Sequence, residues 1–400
     1  MSVSLESTRD EFPFLQRRID GDPIVYLDSA STTPKPRCVI DAVTRVYREG
    51  ASNVHRGVHA VSDEVTAAYE DARREVASFL NASPDEIVFT RGTTEGINLV
   101  ASGLGLSPDD EVVLTPLEHH SNYLPWRLRA RPVTVGLGED GLPLYGEVER
   151  LLSPRTRLLA LAQVPNTTGV EAPVGLWVEA ARSRGIPVLV DASQSASHVP
   201  LDVRALGCDF LAFSGHKLLG PSGIGVLYGR RERLEELSPY QAGGGMVRYH
   251  GEDRFELHEA PQRFEAGTPN IEGAIGLGAA VSFLRRLGMD AVREHSGALG
   301  RRLVEGLRGI PGTRILADGA PWGRRIGLAA FRLDAPGFSQ ENLARVLCDR
   351  YRILVSGGYH CAHILHHRLG LEGTLRISTH VFNTEGEIDG ALEALRELAG

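Results

Sequence analysis

The chain has 400 residues, of which 42% are hydrophobic and 24% charged, a composition typical of globular proteins. This length exceeds what one compact core usually holds and predicts two domains. The formal net charge of −8 argues against a nucleic-acid-binding surface. The four cysteines, Cys38, Cys208, Cys348 and Cys361, are too few for a disulfide framework, which indicates a reducing compartment.

The N-terminal stretch from Met1 to Phe12 is polar and acidic and has no apolar signal core. No window of the sequence approaches the roughly 20 consecutive apolar residues that cross a bilayer. We therefore expect a cytoplasmic protein that binds neither a membrane nor nucleic acid.

Short apolar runs alternate with helical patterns over about the first 230 residues. The strand candidates are Ile24–Leu27, Glu86–Thr90, Glu111–Thr115, Arg157–Val164, Pro187–Val190, Phe210–Phe213 and Gly223–Tyr228. Helical segments between them include Ser62–Leu80, Thr94–Gly103 and Leu176–Arg184. Strands that are apolar on both faces and alternate with helices predict an α/β fold with a mainly parallel sheet covered on both sides.

The second part of the chain has a different pattern. A glycine run at 243–245 opens a loop of mixed charge, which closes with Arg263–Asn270 and is followed by a helical stretch at Ile271–Leu287. From about Met289 the order of helix, strands, helix, strand and helix is typical of a smaller α+β domain. We predict an N-terminal segment (1–20) that packs on the small domain, a large domain (21–285) and a small C-terminal domain (286–400) carrying the Cys361 loop.

Two polar residues follow apolar strands and are candidates for cofactor chemistry. Lys217, in Phe213-Ser-Gly-His-Lys217, could act as a neutral amine once desolvated, and neutral amines form Schiff bases. Asp191 ends a buried strand, where α/β proteins bind ligands, and could keep a pyridinium nitrogen protonated. Gln194 could then donate to a ring oxygen. The alternatives are a surface lysine and a helix-capping aspartate.

Two loops could complete such a site. Gly92-Thr-Thr-Glu-Gly96 follows a strand and opens a helix, so its backbone amides and the hydroxyls of Thr93 and Thr94 form a candidate phosphate site. A simple capping turn is the alternative. In Glu118-His-His-Ser-Asn122 a histidine could stack on an aromatic ring and move protons, or could simply bond to backbone.

Cys361 lies in a glycine-rich loop, Ser356-Gly-Gly-Tyr-His-Cys-Ala-His363, and is a candidate nucleophile. A charged His360 would favour its thiolate. The alternative is an inert buried thiol, which we expect for Cys208 and Cys348.

A zinc site is a further alternative for the same loop, because Cys361 and four histidines lie within eight residues. The histidines are His360, His363, His366 and His367. The sequence has no CxxC pair and no second cluster of cysteine and histidine, so we predict no metal.

Taken in order, these motifs resemble the class V aminotransferase family of fold-type-I pyridoxal-5′-phosphate (PLP) enzymes. Within it they are most similar to the group II cysteine desulfurases, the SufS-like enzymes also called selenocysteine lyases. The resemblance runs from about Tyr26 to Asp389. It is carried by Tyr26-Leu-Asp-Ser-Ala30, Asn53-Val-His-Arg-Gly57, Thr90-Arg-Gly-Thr-Thr-Glu-Gly-Ile-Asn98, Glu118–Asn122, Phe213–Lys217, Arg263–Asn270 and Tyr359-His-Cys-Ala362.

The resemblance implies a fold-type-I transferase that binds PLP and converts L-cysteine to L-alanine. It implies that Lys217 holds the cofactor as a Schiff base, that Asp191 pairs with the pyridinium nitrogen and that His119 stacks on the ring. It places Gln194 at the ring hydroxyl and Asn166 near the ring oxygen and the substrate carboxylate. The phosphate would be held by Thr94, Ser214 and His216.

The resemblance also implies a homodimer, since Thr268 would reach the phosphate in the partner subunit. Arg376, in Thr374-Leu-Arg-Ile-Ser378, would clamp the substrate carboxylate in bidentate fashion near His360. Cys361 would take the sulfur as a persulfide and pass it to an acceptor protein, for example in iron–sulfur cluster assembly.

The sequence departs from the family pattern at three places. Ser356 stands where the family usually has arginine. After the cysteine the sequence is Ala362-His-Ile-Leu365 instead of a continuation with Gln or Met, Pro and Leu, and the glycine run continues Met246-Val-Arg-Tyr249 without the usual polar residue before methionine.

Two other functions stay open on these residues. The first is a PLP-dependent C–S or C–Se lyase, or another class V transferase, that acts on a cysteine-derived substrate, and Ser356 favours it. The second is a non-catalytic scaffold homologue, which the joint presence of Lys217, Asp191 and Cys361 disfavours.

Overall fold

The computed structural model describes residues 5–335 and 337–400 of the chain. Its α-helices are α1 (Arg37–Glu49), α2 (Ala60–Leu80), α3 (Thr93–Gly103), α4 (Leu124–Arg127), α5 (Val148–Leu151), α6 (Val174–Arg182), α7 (Val203–Leu206), α8 (Arg231–Glu236), α9 (Ile271–Leu287), α10 (Met289–Arg308), α11 (Gln340–Tyr351), α12 (His363–Leu369) and α13 (Glu385–Ala399). Short 3-10 helices lie at Leu5–Glu11, Pro13–Gln16, Pro84–Glu86, His120–Asn122, Tyr145–Glu147, Ser195–Ser197, Gly215–Lys217, Gln262–Phe264 and Trp322–Arg324. Within the described ranges, none of the helices combines the length and apolar character that a bilayer crossing requires.

The strands are β1 (Arg18–Ile19), β2 (Asp22–Pro23), β3 (Val25–Tyr26), β4 (Ile87–Thr90), β5 (Glu111–Leu114), β6 (Arg131–Thr134), β7 (Thr156–Ala162), β8 (Val188–Asp191), β9 (Phe210–Ser214), β10 (Gly225–Gly229), β11 (Val247–His250), β12 (Phe255–Leu257), β13 (Thr313–Ile315), β14 (Leu328–Leu333), β15 (Ile353–Leu354), β16 (Ser356–Gly358) and β17 (Thr374–Ser378). Seven of them form the large sheet, in the order β4-β10-β9-β8-β7-β5-β6. Neighbours in this sheet pair in parallel, except that β10 runs antiparallel to both β4 and β9.

The strands at the centre of this sheet are buried along their whole length, as β8, β9 and β10 show. Burial on both faces requires apolar side chains at every position, which accounts for the continuous Val- and Leu-rich runs in the sequence. Helices α2 and α9 pack against each other on this part of the molecule, with Ala72 of α2 in contact range of Gly278 of α9. The predicted α/β fold with a mainly parallel sheet is thereby confirmed.

The four-stranded antiparallel sheet, β13-β14-β17-β16, lies in the C-terminal part of the chain. One apolar cluster joins it to α10, α11 and α13. Leu299, Leu303 and Leu307 recur at helical spacing along α10 and form one buried face of that helix. The limits at 20/21 and 285/286 that we drew between domains stay a prediction.

The N-terminal segment contacts residues near the C-terminus. Arg9 forms an ion pair with Glu387 at 2.8 Å, and the ring of Phe12 lies 4.9 Å from that of Phe382. Residues 1–4 of the segment predicted at 1–20 lie outside the described residues.

The membership of the large sheet differs from the sequence prediction at one strand. The candidate Ile24–Leu27 is reduced to β3, which pairs in parallel with β15 of the C-terminal part instead of joining the large sheet. The seventh strand is β6, a half-exposed edge strand that contains Pro132. A short, partly exposed edge strand has no apolar run to reveal it, whereas Ile24, Tyr26 and Leu27 in and around β3 are buried and form such a run.

A buried ion pair ties the loop before α9 to the large sheet. Arg73 of α2 is almost fully buried and donates from both terminal nitrogens to Glu265, at 2.7 and 2.9 Å. The Glu265 carboxylate also accepts from the backbone N–H of Phe89 in β4 at 2.7 Å. The loop is therefore anchored at the strand that precedes α3.

Removing one member of this pair is expected to be strongly destabilising. Glu265→Ala removes the carboxylate that both terminal nitrogens of the buried Arg73 bind and leaves only that of Glu70, which accepts from Nε at 3.0 Å. The substitution should lower the free energy of unfolding by about 3 kcal/mol. Denaturant unfolding followed by circular dichroism measures the change, with the exposed Glu259→Ala as the control. A loss below about 1 kcal/mol, the range of surface ion pairs, would contradict this role.

Candidate functional site

A cavity of about 420 Å³ lies at the carboxyl ends of β8 and β9. Because the two strands are parallel, Asp191 and Ser214 end at the same edge of the sheet, where ligands bind in α/β folds. Twelve of the thirteen predicted site residues line the cavity: Thr93, Thr94, His119, Asn166, Asp191, Gln194, Ser214, His216, Lys217, His360, Cys361 and Arg376.

Lys217 brings an amine to this cavity. Burial lowers its pKa to about 8, and the negative charge of Asp191 limits the fall. At pH 7 roughly a tenth of an amine with this pKa is neutral, and the neutral amine is the form that attacks carbonyl groups. The short helix at Gly215–Lys217 directly after β9 places this side chain at the end of the sheet.

Asp191 presents a carboxylate with one oxygen free for a ligand. Its Oδ1 atom accepts from the backbone N–H and the hydroxyl of Ser193, at 2.8 and 2.5 Å. No hydrogen bond to the other oxygen forms among the described residues, and burial raises the pKa of the carboxyl. A cationic N–H group in the cavity would satisfy that oxygen and stabilise the charge.

His119 is held as a neutral ring beside Lys217. Burial lowers its pKa to about 4, with Lys217 adding to the effect. Its Nδ1 accepts from the backbone N–H of Ser121 at 3.1 Å, so the ring hydrogen is on Nε2. The preceding residue anchors the loop, since the buried Glu118 carboxyl accepts from the backbone N–H of Ala162 in β7 at 2.9 Å.

The N-terminus of α3 opens onto the same cavity. The backbone N–H of Thr93 donates to the hydroxyl of Ser214 at 2.8 Å, and the hydroxyl of Thr94 lies 2.7 Å from that of Ser121. Gly92 has a φ of 154°, and a Cβ atom there would lie 3.0 Å from the Ser214 hydroxyl. The absence of a side chain at Gly92 therefore keeps this helix end open to an anion.

The two predicted amide side chains are partly engaged by the protein. Gln194 donates from Nε2 to the carbonyl of Ala30 at 3.0 Å, and Asn166 donates from Nδ2 to the carbonyl of His360 at 2.9 Å. Each amide nitrogen has a second N–H, so both side chains keep donor capacity toward the cavity. Their roles toward a bound ring stay predictions.

Arg376 is a buried guanidinium held in place by two residues of the N-terminal part. It donates from Nη2 to Asp28 at 3.2 Å and to the hydroxyl of Ser31 at 2.7 Å. Burial lowers its pKa, and Asp28 opposes that effect. Ser356 of β16 is the register partner of Arg376 in β17, and both line the cavity. The residue opposite Arg376 in the sheet is thus a serine, with a small side chain that ends in a hydroxyl.

Cys361 projects from a strained tight turn. His360 and Cys361 have φ values of 50° and 57°, and the N–H of Ala362 donates to the carbonyl of Tyr359 at 2.8 Å. Positive φ at both central residues is the signature of a type I′ turn, and it costs about 1–3 kcal/mol for each residue that is not glycine. The thiol is exposed at the cavity, and the N–H of His120 donates to the carbonyl of Cys361 at 2.9 Å.

His360 is held neutral, so it does not favour the Cys361 thiolate through a positive charge. Burial lowers the pKa of His360 to about 2, with Arg376 adding to the effect, so the ring stays neutral. Its Nε2 lies 3.0 Å from the carbonyl of Thr374 and donates to it. The sequence did not reveal this burial, because His360 lies in a loop rich in glycine and polar residues, which is typical of an exposed segment. Contact of His360 with a substrate stays a prediction.

A stack of three rings holds the Cys361 turn from outside. The ring of His363 lies between Tyr359 and His120, with centroid distances of 4.5 and 4.8 Å. Nδ1 of His363 also lies 3.1 Å from Nε2 of His120. Because the backbone N–H of His120 donates to the carbonyl of Cys361, the stack connects both sides of the strained turn.

Loss of the central ring is expected to loosen the turn. His363→Ala should accelerate deuterium exchange at the amides of His120 and Ala362 by roughly tenfold, since both donate hydrogen bonds within the turn or to it. Exchange followed by mass spectrometry measures this, with His367→Ala, an exposed histidine on the same helix, as the matched control. Equal exchange in the two variants would show that the stack does not hold the turn.

Six further residues at the cavity had no role in the sequence prediction: Ala30, Ser31, Ser121, Ala162, Val164 and Ser193. Ser31 and Asp28 act through Arg376, and Ser193 acts through Asp191. The motif Tyr26–Ala30 was recognised, but nothing in its spacing placed it beside β17. Only contacts across some 350 residues of sequence bring Asp28 and Ser31 to Arg376.

Thr268 lies outside the cavity, where Asn53 donates to its hydroxyl at 3.4 Å. The contact predicted for Thr268 is with a partner subunit and stays a prediction. Among residues 5–335 and 337–400, no three His, Cys, Asp or Glu side chains are grouped as metal ligands. Of the histidines in the cysteine loop, His366 instead lies 3.1 Å from the hydroxyl of Thr374.

Residues 25–390 match the family model described as Aminotransferase class-V. The chain is 41% identical over 408 residues to a curated protein from Klebsiella pneumoniae (strain 342) named cysteine desulfurase, covering 100% of this chain and 99% of that one. It is similar to the structure of the cysteine desulfurase CsdA (S-sulfonic acid) from Escherichia coli, with a TM-score of 0.88 and 39% identity over 99% of this chain and 98% of that one.

A third protein, the cystine C–S lyase C-DES, is also similar in structure. One of its structures carries glycine covalently linked to the PLP cofactor, and matches with a TM-score of 0.81 and 25% identity over 98% of this chain and 99% of that one.

Proposed function

The chain belongs to the class V aminotransferase family, and we propose that within this family it is a PLP-dependent cysteine desulfurase. The observation that carries the proposal is the convergence of three groups on one cavity. These are the Lys217 amine, the free oxygen of Asp191 and the exposed Cys361 thiol. An amine and a carboxylate suit the cofactor, and the thiol suits the transfer of sulfur.

The residues around the cavity fit PLP. The end of α3, kept open by Gly92, offers N–H and hydroxyl donors to the phosphate, with Thr93, Thr94, Ser214 and His216 as the residues that would hold it. One oxygen of Asp191 has no hydrogen-bond partner within the described part of the chain and is suited to a pyridinium N–H. When bound, the cofactor supplies an electron sink that stabilises negative charge at the substrate α-carbon.

The substrate would be oriented by Arg376. Its guanidinium lies at the cavity with its position set by Asp28 and Ser31, so it is organised before a carboxylate arrives. Lys217, whose amine has a lowered pKa, would move the α-proton of the substrate. His119, neutral and half-buried, would supply a flat ring surface beside that amine.

The sulfur step would belong to Cys361. Its thiolate attacks the substrate sulfur, the S–S bond forms as the C–S bond breaks, and the electron pair of that bond goes to carbon. The β-carbon of the substrate takes up a proton, and the product is released as alanine. Cys361 keeps the sulfur as a persulfide. The exposed position of Cys361 leaves this sulfur open to an acceptor protein.

We further propose that the enzyme works as a homodimer in the cytoplasm. The loop 262–270, which carries Thr268, is anchored to the sheet through Glu265 and has exposed residues available to a partner subunit.

The proposed function predicts two products in equal amounts. Purified enzyme incubated with L-cysteine and no added reductant should form one alanine per persulfide in the first turnover. The two amounts are equal because Cys361 keeps the sulfur of each substrate molecule that becomes alanine. Amino-acid analysis and mass spectrometry of the Cys361 peptide measure the two products. Parallel reactions with cysteine sulfinate and selenocysteine test the substrate. Turnover of cysteine to pyruvate, without alanine, would contradict the proposal.

A C–S lyase acting on a larger cysteine derivative is the second candidate. Its support is the similarity to the cystine lyase C-DES and the small Ser356 beside Arg376, which leaves space in the cavity. A lyase of this kind has no need of Cys361, so variants of that residue separate the two functions.

A further inference from the structure

The sequence contains two lysines, Lys35 and Lys217, among its 43 lysine and arginine residues. Almost every cation of this protein is therefore a guanidinium. Lys217 must be an amine for the chemistry proposed above. Lys35 has no such role, yet its side chain ends at the residue immediately before Lys217.

The ammonium of Lys35 binds two backbone carbonyls. Its Nζ donates to the carbonyl of Thr33 at 2.5 Å and to that of His216 at 3.0 Å. No acidic side chain of the described ranges forms an ion pair with Lys35. A compact ammonium with three donors suits two carbonyls close together, whereas a planar guanidinium would need more width.

The His216 carbonyl is surrounded by donors from the same segment. The hydroxyl of Thr32 lies 3.1 Å from it, and the N–H and hydroxyl of Thr33 lie 2.9 and 3.0 Å from it. A carbonyl oxygen has two lone pairs, so these four donors share both of them. Burial lowers the pKa of Lys35 to about 8, so the ammonium is mostly charged at neutral pH.

The same segment also holds the other side of Lys217. The hydroxyl of Thr33 accepts from the N–H of Leu219 at 3.0 Å, and Leu219 has a φ of 61°, a strained value for a branched side chain. The main chain before and after Lys217 is therefore tied to one short stretch, residues 32–35. A strained turn persists only where its surroundings hold it.

We propose that Lys35 is a positioning residue for Lys217, holding the His216 carbonyl and so the main chain from which the reactive amine extends. The inference rests on the proposed role of Lys217. Lys35 is not among the residues that line the cavity. By holding the main chain at His216, Lys35 fixes the position of the Lys217 backbone. The Lys217 side chain would serve both as the attachment point of the cofactor and as the base.

The test compares Lys35→Met and Lys35→Gln with the wild-type holoenzyme. Arg37→Met is the matched control, because Arg37 is an exposed cation two residues away whose side chain forms no hydrogen bond or ion pair within the described ranges. Deuterium exchange of the peptide spanning 215–219 should accelerate in Lys35→Met, less in Lys35→Gln, which keeps an N–H donor, and not in Arg37→Met. Kinetics with cysteine should show kcat reduced roughly tenfold in Lys35→Met with KM unchanged, since misplacing a catalytic group slows the step without weakening binding at Arg376.

Unchanged exchange over 215–219 together with unchanged kcat in both variants would overturn the proposal. A raised KM together with faster deuterium exchange across the whole protein would show that Lys35 has only a general structural role. That result would overturn the proposal as well. If Lys35→Met does not fold, Lys35→Gln decides by the same measurements. The exchange experiment needs no substrate, so it stands even if cysteine proves not to be the substrate.

Discussion

Replacing Cys361 with serine is expected to reduce sulfur release from cysteine by several orders of magnitude while the cofactor stays bound. Serine has nearly the same size, so the strained turn and its hydrogen bond from His120 should persist. Its hydroxyl is a far weaker nucleophile toward sulfur than a thiolate. The residues that hold the cofactor, Lys217 and Asp191, are untouched, so the visible absorbance of the holoenzyme and its change on adding cysteine should remain.

Sulfide and alanine release from saturating cysteine, measured side by side with the absorbance change, check this expectation. Cys348→Ser is the matched control, since Cys348 lies on α11 away from the cavity. Unchanged sulfur release in Cys361→Ser would show that this thiol is not the acceptor, and the lyase function would then be the better account. Loss of the absorbance would indicate damage to the cofactor site instead.

Lys217→Ala is expected to remove covalent attachment of the cofactor and to reduce turnover to background. The amine is the one lysine side chain at the cavity among the described residues, and its pKa of about 8 makes it both a nucleophile and a base near neutral pH. Alanine leaves its place empty, so an added small amine such as ethylamine should restore part of the proton transfer. Lys217→Arg, which keeps the charge but cannot deprotonate, should not recover activity.

Borohydride reduction followed by peptide mapping checks the attachment directly. With two lysines in the sequence, the reduced cofactor has two candidate peptides, and the wild-type adduct should lie on the peptide containing Lys217. An adduct on Lys35, or persistence of the adduct in Lys217→Ala, would refute the assignment. The turnover measurements answer a separate question, namely whether the Lys217 amine also moves the α-proton of the substrate.

Much of the site follows from rules that are local in sequence. Asp191 and Lys217 each follow an apolar run, and a parallel sheet brings the carboxyl ends of its strands to one edge. Gly92 before a helix indicates an open helix end in the same way. Cys361 was recognised from its glycine-rich loop, although its position beside Arg376 depends on the pairing of β16 with β17.

The groups that the prediction missed act through long-range contacts. Asp28 and Ser31 reach Arg376 across about 350 residues of sequence. Lys35 reaches the carbonyl of His216 across about 180, and nothing in its own neighbourhood distinguishes it from a surface lysine. The burial that makes His360 neutral is likewise a property of the packed loop, not of the residues next to it.

The sequence by itself determined the fold class, because periodicity and strand-end position are properties of short segments. Its resemblance to the class V aminotransferase family implied the cofactor and most of the residues around the cavity. The tertiary structure alone decided which strands share a sheet, so that β3 pairs with β15 and β6 completes the edge. It also decided the charge states of Lys217 and His360, since a pKa is set by burial and by neighbours distant in sequence. The strain at Cys361 and the contacts of Lys35 belong to the same class, because only packing can hold a turn in a costly conformation or bring an ammonium to a distant carbonyl.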